Sequence, residues 1–196
     1  MRQAEIKRQT KETDITINVA IDGTGRVNVA TGIGFFDHML DHIARHGMFD
    51  LTLAAEGDLD VDAHHTVEDV GICLGKAFAD ALGTLAGVKR YGHAVVPMDE
   101  ALAEVAVDLS GRPFLVFDAD LPRGMLGEFD AELTEEFLRA FAVNARATVH
   151  VILRVGSNLH HCIEAVFKAF GRALDEASML DARRKDVPST KGTLNA

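Results

Sequence analysis

The pattern His-His-x-x-Glu occurs twice in this sequence, and each copy begins a long apolar run. The first copy begins at His64 and the second at His160, which is an offset of 96 residues in a chain of 196. An offset close to half the chain length predicts an internally duplicated fold, because each copy marks the same place in one structural repeat. The repeated residues are also types that bind metal ions, so the repeat bears on function as well as on fold.

The apolar residues after each pair recur at spacings of three and four, which predicts an amphipathic helix beginning near each pair. Successive residues on a helix point about 100° apart, so adjacent histidines do not readily grip one small ion. The glutamate can share a face with either the second histidine or the first, at i+3 or i+4. The simplest arrangement is two metal ions, each taking one histidine from each copy. Imidazole with carboxylate suits Mn, Fe, Zn or Ni.

A third group of histidines lies on an earlier predicted helix, which covers Phe35 to His46. His38, His42 and His46 recur at i, i+4 and i+8 and therefore form one stripe. The stripe is either an additional source of ligands or a solvated polar face. The ligand-rich second helix of the same half favours the first alternative.

The order of predicted elements is the same in both halves and indicates an α+β fold built from two β-β-α-β-α repeats. In the first half, residues 15–21 and 26–31 alternate around a Gly-rich turn and are predicted to form a hairpin. Residues 102–109 and 114–119 are predicted to form the corresponding hairpin. We expect a single domain over residues 1–196, with repeats at about 1–88 and 89–178 joined through residues 88–97. A tail, 179–196, is either disordered or part of an anion site.

Composition narrows the possible partners and location of the protein. The formal net charge of −10 argues against sequence-independent binding to nucleic acid, which needs a basic surface. No apolar segment is long enough to span a bilayer, and the charged first 14 residues do not resemble a secretory signal. We therefore expect a cytoplasmic protein with no nucleic-acid or membrane partner.

Several separate motifs, in order along nearly the whole chain, resemble the imidazoleglycerol-phosphate dehydratase family. They are Phe-Phe-Asp-His-Met-Leu at 35–40, Ala-His-His-Thr-Val-Glu-Asp at 63–69, Asp-Leu-Ser-Gly-Arg-Pro at 108–113, the second His-His-x-x-Glu at 160–164, and Pro-Ser-Thr-Lys-Gly at 188–192. The resemblance implies mixed sheets with helices packed on one side, as in domain 2 of ribosomal protein S5. It also implies a role in histidine biosynthesis, two Mn²⁺ ions per active site, and a 24-subunit particle with active sites at subunit interfaces.

The resemblance also implies roles for individual residues of this chain. The metal ligands would be His38, His64, His65, Glu68, Glu136, His160, His161 and Glu164, where Glu136 fills a slot that holds histidine in some relatives. The phosphorylated substrate would contact His42, His46, Arg90, Arg112, Lys168, Ser189, Thr190 and Lys191, where His42 replaces an amide side chain of some relatives. The catalytic carboxylates would be Glu12, Glu68 and Glu164, with Glu164 as the base and Glu12 as the acid.

The implied reaction converts D-erythro-imidazole glycerol phosphate to imidazole acetol phosphate. No carbonyl group acidifies the hydrogen that must leave, so two metals bound to the ring nitrogens would favour an imidazolate. The electron-rich ring would then expel the hydroxyl and give a diazafulvene-like intermediate. One alternative is a di-metal hydrolase of a small phosphorylated substrate, whose ions would lie about 3.5–4 Å apart. Another is that the metals only hold subunits together.

Overall fold

The computed structural model describes residues 1–194, and two halves with equivalent four-stranded sheets account for most of them. The strands are β1 (Gln3–Gln9), β2 (Thr13–Ala20), β3 (Val27–Ala30), β4 (Asp50–Gly57), β5 (Tyr91–Met98), β6 (Ala101–Asp108), β7 (Phe114–Asp118), β8 (Met125–Leu126), β9 (Phe129–Asp130) and β10 (Thr148–Val155). The helices are α1 (Gly34–His46), α2 (His64–Leu82), α3 (Leu133–Ala145) and α4 (Leu159–Ser178).

Two four-stranded mixed sheets carry the duplication. The first has the strand order β1-β2-β4-β3, and the second has the equivalent order β5-β6-β10-β7. In each sheet the last neighbour pair is parallel and the other pairs are antiparallel. Helices α1 and α2 pack against the first sheet, and α3 and α4 pack against the second. The predicted α+β fold, with duplicated mixed sheets and helices on one side, is therefore confirmed.

The strand pairing inside each half differs from the predicted hairpins. β2 does not pair with β3; β2 pairs with β1 and β4, while β3 runs parallel to β4. Likewise β6 pairs with β5 and β10, while β7 runs parallel to β10. Residues 91–97 of the predicted joining segment 88–97 belong to β5 instead. The prediction failed because alternation marks a strand but does not name its partner.

Helix packing is close enough to exclude a side chain at two equivalent glycines. A Cβ on Gly75 of α2 would lie 2.6 Å from the carbonyl oxygen of Phe141 in α3, and a Cβ on Gly171 of α4 would lie 2.6 Å from that of Ile43 in α1. One turn earlier in α2, a Cβ on Gly71 would lie 2.8 Å from the Phe137 carbonyl oxygen, which is also one turn earlier in α3. Because the contacts advance in the same order along both helices, α2 and α3 run in the same direction.

A ladder of aromatic contacts shows the same order in the pair α3 and α4. The Phe137 ring stacks on Phe167 at 5.4 Å, and the Phe141 ring meets Phe170 at 5.0 Å. His38 near the start of α1 contacts the His160 ring at the start of α4, so α1 and α4 also run in the same direction. The beginnings of the helices, which carry the predicted ligands, therefore lie at one end of the helix layer. None of the helices within residues 1–194 is long and apolar enough to cross a membrane.

Candidate metal centre and anion pocket

One compact cluster of metal-ligand atoms lies where α1 and α4 begin. One ligand atom from each of His38, His160 and Glu164 lies within 4.8 Å of the others, and no other group of three reaches this spacing in residues 1–194. The His160 Nε2 is 3.0 Å from the Glu164 Oε2, which is 3.4 Å from the His38 Nε2. Glu164 therefore joins the first histidine of its pair, at i+4. Two imidazole nitrogens and a carboxylate oxygen form a donor set that fits a divalent metal ion.

Glu164 is buried and nevertheless favours its ionised form. Burial alone would raise the pKa of its carboxyl group, but the hydrogen bond from Lys168 and the neighbouring histidines lower that pKa to about 2. The Lys168 Nζ lies 2.5 Å from the Glu164 Oε1, so one carboxylate oxygen faces a cation and the other faces the two histidines. This division leaves Oε2 available to a metal ion.

His42 lies beside this cluster rather than away from it. Its Nε2 is 3.1 Å from the His38 Nε2 and 3.4 Å from the Glu164 Oε1. Burial lowers the pKa of His42 to about 4, so the ring is neutral at neutral pH, and its buried Nδ1 has no hydrogen-bond partner in the structure. The ring of His46 lies 5.6 Å from that of His42, one turn further along α1.

A second set of predicted ligands lies at the equivalent place between α2 and α3. Glu68 precedes Gly75 by the same spacing that separates Glu164 from Gly171. Glu136 precedes Phe141 by the same spacing that separates His38 from Ile43. Within residues 1–194 this set does not close into a cluster like the first. One chain therefore presents two separate groups of ligands.

The second histidine of each pair binds a carboxylate that the sequence reasoning missed. The Nδ1 of His65 lies 3.0 Å from the Asp58 Oδ2, and the Nδ1 of His161 lies 2.7 Å from the Glu100 Oε2. These hydrogen bonds raise the pKa of both histidines. The only sequence signal for either carboxylate was its place in an acidic connector or turn.

Glu12 is held next to the beginning of α2 by a buried network. Asp69 of α2 is 5% exposed; it accepts a hydrogen bond from the Thr13 hydroxyl at 2.5 Å and pairs with Arg8 at 2.9 Å. The backbone oxygen of Glu12 accepts a hydrogen bond from the Asp58 N–H at 3.0 Å. The network fixes the β1–β2 turn, and with it Glu12, beside the His65 side chain.

Five of the predicted substrate-binding residues line one cavity of about 790 Å³ between the second sheet and the tail; they are Arg90, Arg112, Ser189, Thr190 and Lys191. The Arg90 guanidinium donates to Asp108 at 2.7 and 3.1 Å and to the Pro188 carbonyl oxygen at 2.7 Å. The hydrogen bond with Asp108 raises the pKa of Arg90. Within residues 179–194 the tail therefore forms a wall of a cationic pocket, and residues 195 and 196 lie outside the described residues.

The predicted substrate-binding residues thus fall into two groups on one chain. Lys168, His42 and His46 lie on α1 and α4 by the metal-ligand cluster, while the other five line the tail cavity. No hydrogen bond or ion pair connects the two groups within residues 1–194.

The comparisons with known proteins all indicate one family. The family model for imidazoleglycerol-phosphate dehydratase matches residues 31–174. An imidazoleglycerol-phosphate dehydratase of Acetivibrio thermocellus is 60% identical over 193 residues, covering 98% of this chain and 99% of the relative. The enzyme of the same name from Bacillus subtilis is 56% identical over 194 residues, covering 99% of this chain and 100% of the relative.

Solved structures agree with the sequence relatives. The crystal structure of imidazoleglycerol-phosphate dehydratase from Staphylococcus aureus aligns with a TM-score of 0.83 at 41% identity, covering 91% of this chain and 99% of that one. A dehydratase from Pyrococcus furiosus, solved in complex with a compound designated (S)-C348, aligns with a TM-score of 0.83 at 36% identity, covering 96% and 99%. The match includes both halves of the duplicated fold.

Proposed function

Because the chain belongs to the imidazoleglycerol-phosphate dehydratase family, hydro-lyases of histidine biosynthesis, we propose that it dehydrates D-erythro-imidazole glycerol phosphate with two Mn²⁺ ions per active site. The observation that carries the metal assignment is the cluster of His38, His160 and Glu164. It supplies nitrogen and oxygen donors in a small space, as manganese and related ions require. A cytoplasmic location fits this biosynthetic role and stays a prediction.

The eight proposed ligands divide into two sets related by the duplication. The first set is built on His38, His160 and Glu164, and the second on Glu136, His64 and Glu68. The side chains of His65 and His161 are held through their Nδ1 atoms, so each would offer its Nε2 as one further ligand to a metal ion. Bound in this way, two metal ions would supply Lewis acidity that favours the ionised imidazole ring of the substrate.

The separation of groups on one chain supports active sites formed between subunits. His38 and His160 have side chains that are 48% and 42% exposed, so a neighbouring subunit can reach them. The α1–α4 group holding Lys168 and the tail cavity holding Arg112 would face one substrate together if different copies supply them. We propose that copies of the chain assemble, as a 24-subunit particle, so that each site receives both groups.

The protein groups would then divide the chemistry of water loss. Glu12 would protonate the departing hydroxyl, and Glu164 or Glu68 would take the side-chain proton, giving an enol that becomes the ketone; each transfer is typically worth 10²–10⁴-fold. The low pKa of Glu164 fits a metal ligand better than a strong base, so its two roles need separate tests. The route through a diazafulvene-like intermediate stays a prediction.

Cationic residues would bind the phosphate, away from the reacting carbon. Arg90, Arg112, Lys168 and Lys191 can donate charge-assisted hydrogen bonds to phosphate oxygens. Their binding energy would hold the imidazole end in place for the proton transfers. Ser189, Thr190, His42 and His46 would add neutral donors around the same phosphate.

The proposed function is tested by metal analysis combined with turnover of imidazole glycerol phosphate on purified, chelated and remetallated protein. We expect chelation to abolish turnover and Mn²⁺ to restore it. Glu164→Gln should lower both metal content and turnover, while Glu56→Gln, on the exposed face of β4, should change neither. Full turnover by the chelated protein would refute the proposal. Full turnover by a metal-loaded Glu164→Gln variant would refute only the assignment of Glu164 as base.

A further inference from the structure

We propose that Asp58 and Glu100 are positioning residues for the metal ligands His65 and His161, and that Asp58 thereby leaves Glu12 free for proton transfer. This inference rests on the proposed function and assigns tasks within it. It comes from comparing the carboxylates that contact the second histidine of each pair in the two halves.

Glu100 fixes both the tautomer and the orientation of His161. A carboxylate only accepts hydrogen bonds, so the Nδ1 of His161, 2.7 Å from the Glu100 Oε2, carries the proton. The Nε2 is then unprotonated and can bind a metal ion; an Asp99 oxygen lies 3.9 Å from it. The other oxygen of Glu100 accepts the N–H groups of Ser157 at 3.2 Å and Asn158 at 2.7 Å. Glu100 is therefore tied to the segment that starts α4.

Asp58 does the same for His65 from a different element. Its two carboxylate oxygens lie 3.2 and 3.0 Å from the His65 Nδ1. It follows the last residue of β4, whereas Glu100 lies in the turn between β5 and β6. The two histidines are equivalent in the repeat, but the carboxylates that hold them are not.

The true counterpart of Glu100 in the first half is Glu12. Each residue directly precedes the second strand of its sheet, β2 or β6. Those strands have matching registers, because Ala20 pairs with Asp50, the first residue of β4, and Asp108 pairs with Thr148, the first residue of β10. Yet the Glu12 carboxylate makes no hydrogen bond or ion pair in the described structure, although it is close enough to the His65 ring to interact with it electrostatically.

Connector length explains this difference between the halves. The connection from β4 to α2 spans residues 58–63, whereas the connection from β10 to α4 spans only 156–158. The longer connector supplies Asp58, which occupies the His65 Nδ1 that Glu12 would otherwise hold. In the second half no such residue exists, and Glu100 must hold His161 itself. One turn glutamate is thus structural and the other is available to the substrate.

The test compares Mn²⁺ affinity of the metal-free full-length protein, titrated with Mn²⁺ and followed by electron paramagnetic resonance. We expect Asp58→Ala and Glu100→Ala to weaken Mn²⁺ binding ~10–100-fold, the usual effect of removing a carboxylate behind a ligating histidine. Glu12→Ala should bind Mn²⁺ with wild-type affinity but turn over slowly at saturating metal. Asp60→Ala, in the same connector as Asp58, is the matched control and should change neither quantity.

Two further variants keep the outcome decisive. Glu100→Gln retains one oxygen for the backbone N–H groups of Ser157 and Asn158, so it should keep the fold while weakening Mn²⁺ binding like Glu100→Ala. His161→Ala tests the ligand itself. If His161→Ala loses affinity and Glu100→Gln does not, the positioning role is wrong and the proposed function stands. If His161→Ala also binds normally, the proposed ligand set is wrong. Equal loss in Glu12→Ala and Asp58→Ala would overturn the division of tasks.

Discussion

Replacing Gly171 by alanine tests whether the distance between α1 and α4 sets metal affinity. The new Cβ would lie 2.6 Å from the Ile43 carbonyl oxygen and 3.0 Å from the Ile43 Cα. Ordinary contacts of a Cβ begin at 3.4 Å, and backbone atoms cannot rotate away as a flexible side chain can. The two helices must therefore separate by roughly 0.8 Å at this point, if neither helix bends.

A separation of this size should change the free energy of unfolding only a little, but it should change the metal–ligand distances substantially. Overpacking costs about 1–3 kcal/mol, and the better helix propensity of alanine offsets about 1 kcal/mol of that cost, so unfolding should become easier by roughly 0–2 kcal/mol. Metal–ligand distances, however, tolerate only about ±0.2 Å. His38 lies on α1, whereas His160 and Glu164 lie on α4, so the separation pulls one set of ligands apart. We expect Mn²⁺ affinity to fall at least ~10-fold, with thermal stability lowered by only a few degrees.

The assay is Mn²⁺ titration of the metal-free protein, paired with thermal unfolding of the same samples. Gly34→Ala is the control, because a Cβ at Gly34 meets no atom within 4 Å and its backbone is not left-handed. It should match the wild type in affinity. Wild-type Mn²⁺ affinity in Gly171→Ala, together with a lowered unfolding temperature, would show that the α1–α4 distance does not control the metal site.

Two further predictions concern the tail and the buried network. Lys191→Ala should raise KM for the phosphorylated substrate with little change in kcat, because its ammonium group lines the Arg112 cavity away from the metal ligands; an unchanged KM in steady-state assays would remove the tail from the site. Asp69→Asn should lower the free energy of unfolding by about 1.5–3 kcal/mol, because the buried Asp69 position loses its charge-assisted hydrogen bonds with Thr13 and the partly exposed Arg8. Urea denaturation measures this loss, and a change below about 1 kcal/mol would contradict it.

Much of the architecture was predictable because the duplication repeats the strongest local signals. The helical spacing after His64 and His160 identified α2 and α4, and the offset between the pairs implied equivalent halves. The same spacing placed His160 and Glu164 on one face, and the structure shows that contact. These features depend on residues within one or two turns of a helix, where sequence separation and spatial separation agree.

Strand pairing was not predictable in the same way, because partners lie far apart along the chain. β1 alternates weakly, since Ala4 and Ile6 are its only apolar residues and even these stay half-exposed, so its strand character was missed. Without β1 and β5, the nearest alternating segments were joined as hairpins. The parallel partner of β3 is β4, which follows only after the whole of α1.

The carboxylates behind the proposed metal ligands His65 and His161 were missed for a related reason. Glu100 is 61 residues from His161 in sequence, and nothing in its neighbourhood marks it as a partner of a histidine. Asp58 is only 7 residues from His65, but it is one of several acidic residues in its connector. Only the folded arrangement of turn, connector and helix start distinguishes these two carboxylates from their neighbours.

The surroundings of the two ligand groups are less alike than the groups themselves, and this asymmetry suits the proposed substrate. The counterpart of Lys168 in the first half is Ile72, and the counterpart of His42 is Ala140, so apolar residues replace the lysine and the histidine that lie beside the first group. An imidazole ring offers two similar nitrogens, which duplicated ligands can match. Its phosphorylated side chain leaves the ring on one side, where only one half need provide positive charge. In the proposed site, the duplicated helices would therefore provide the match to the ring, and the diverged positions would select the direction in which the phosphate lies.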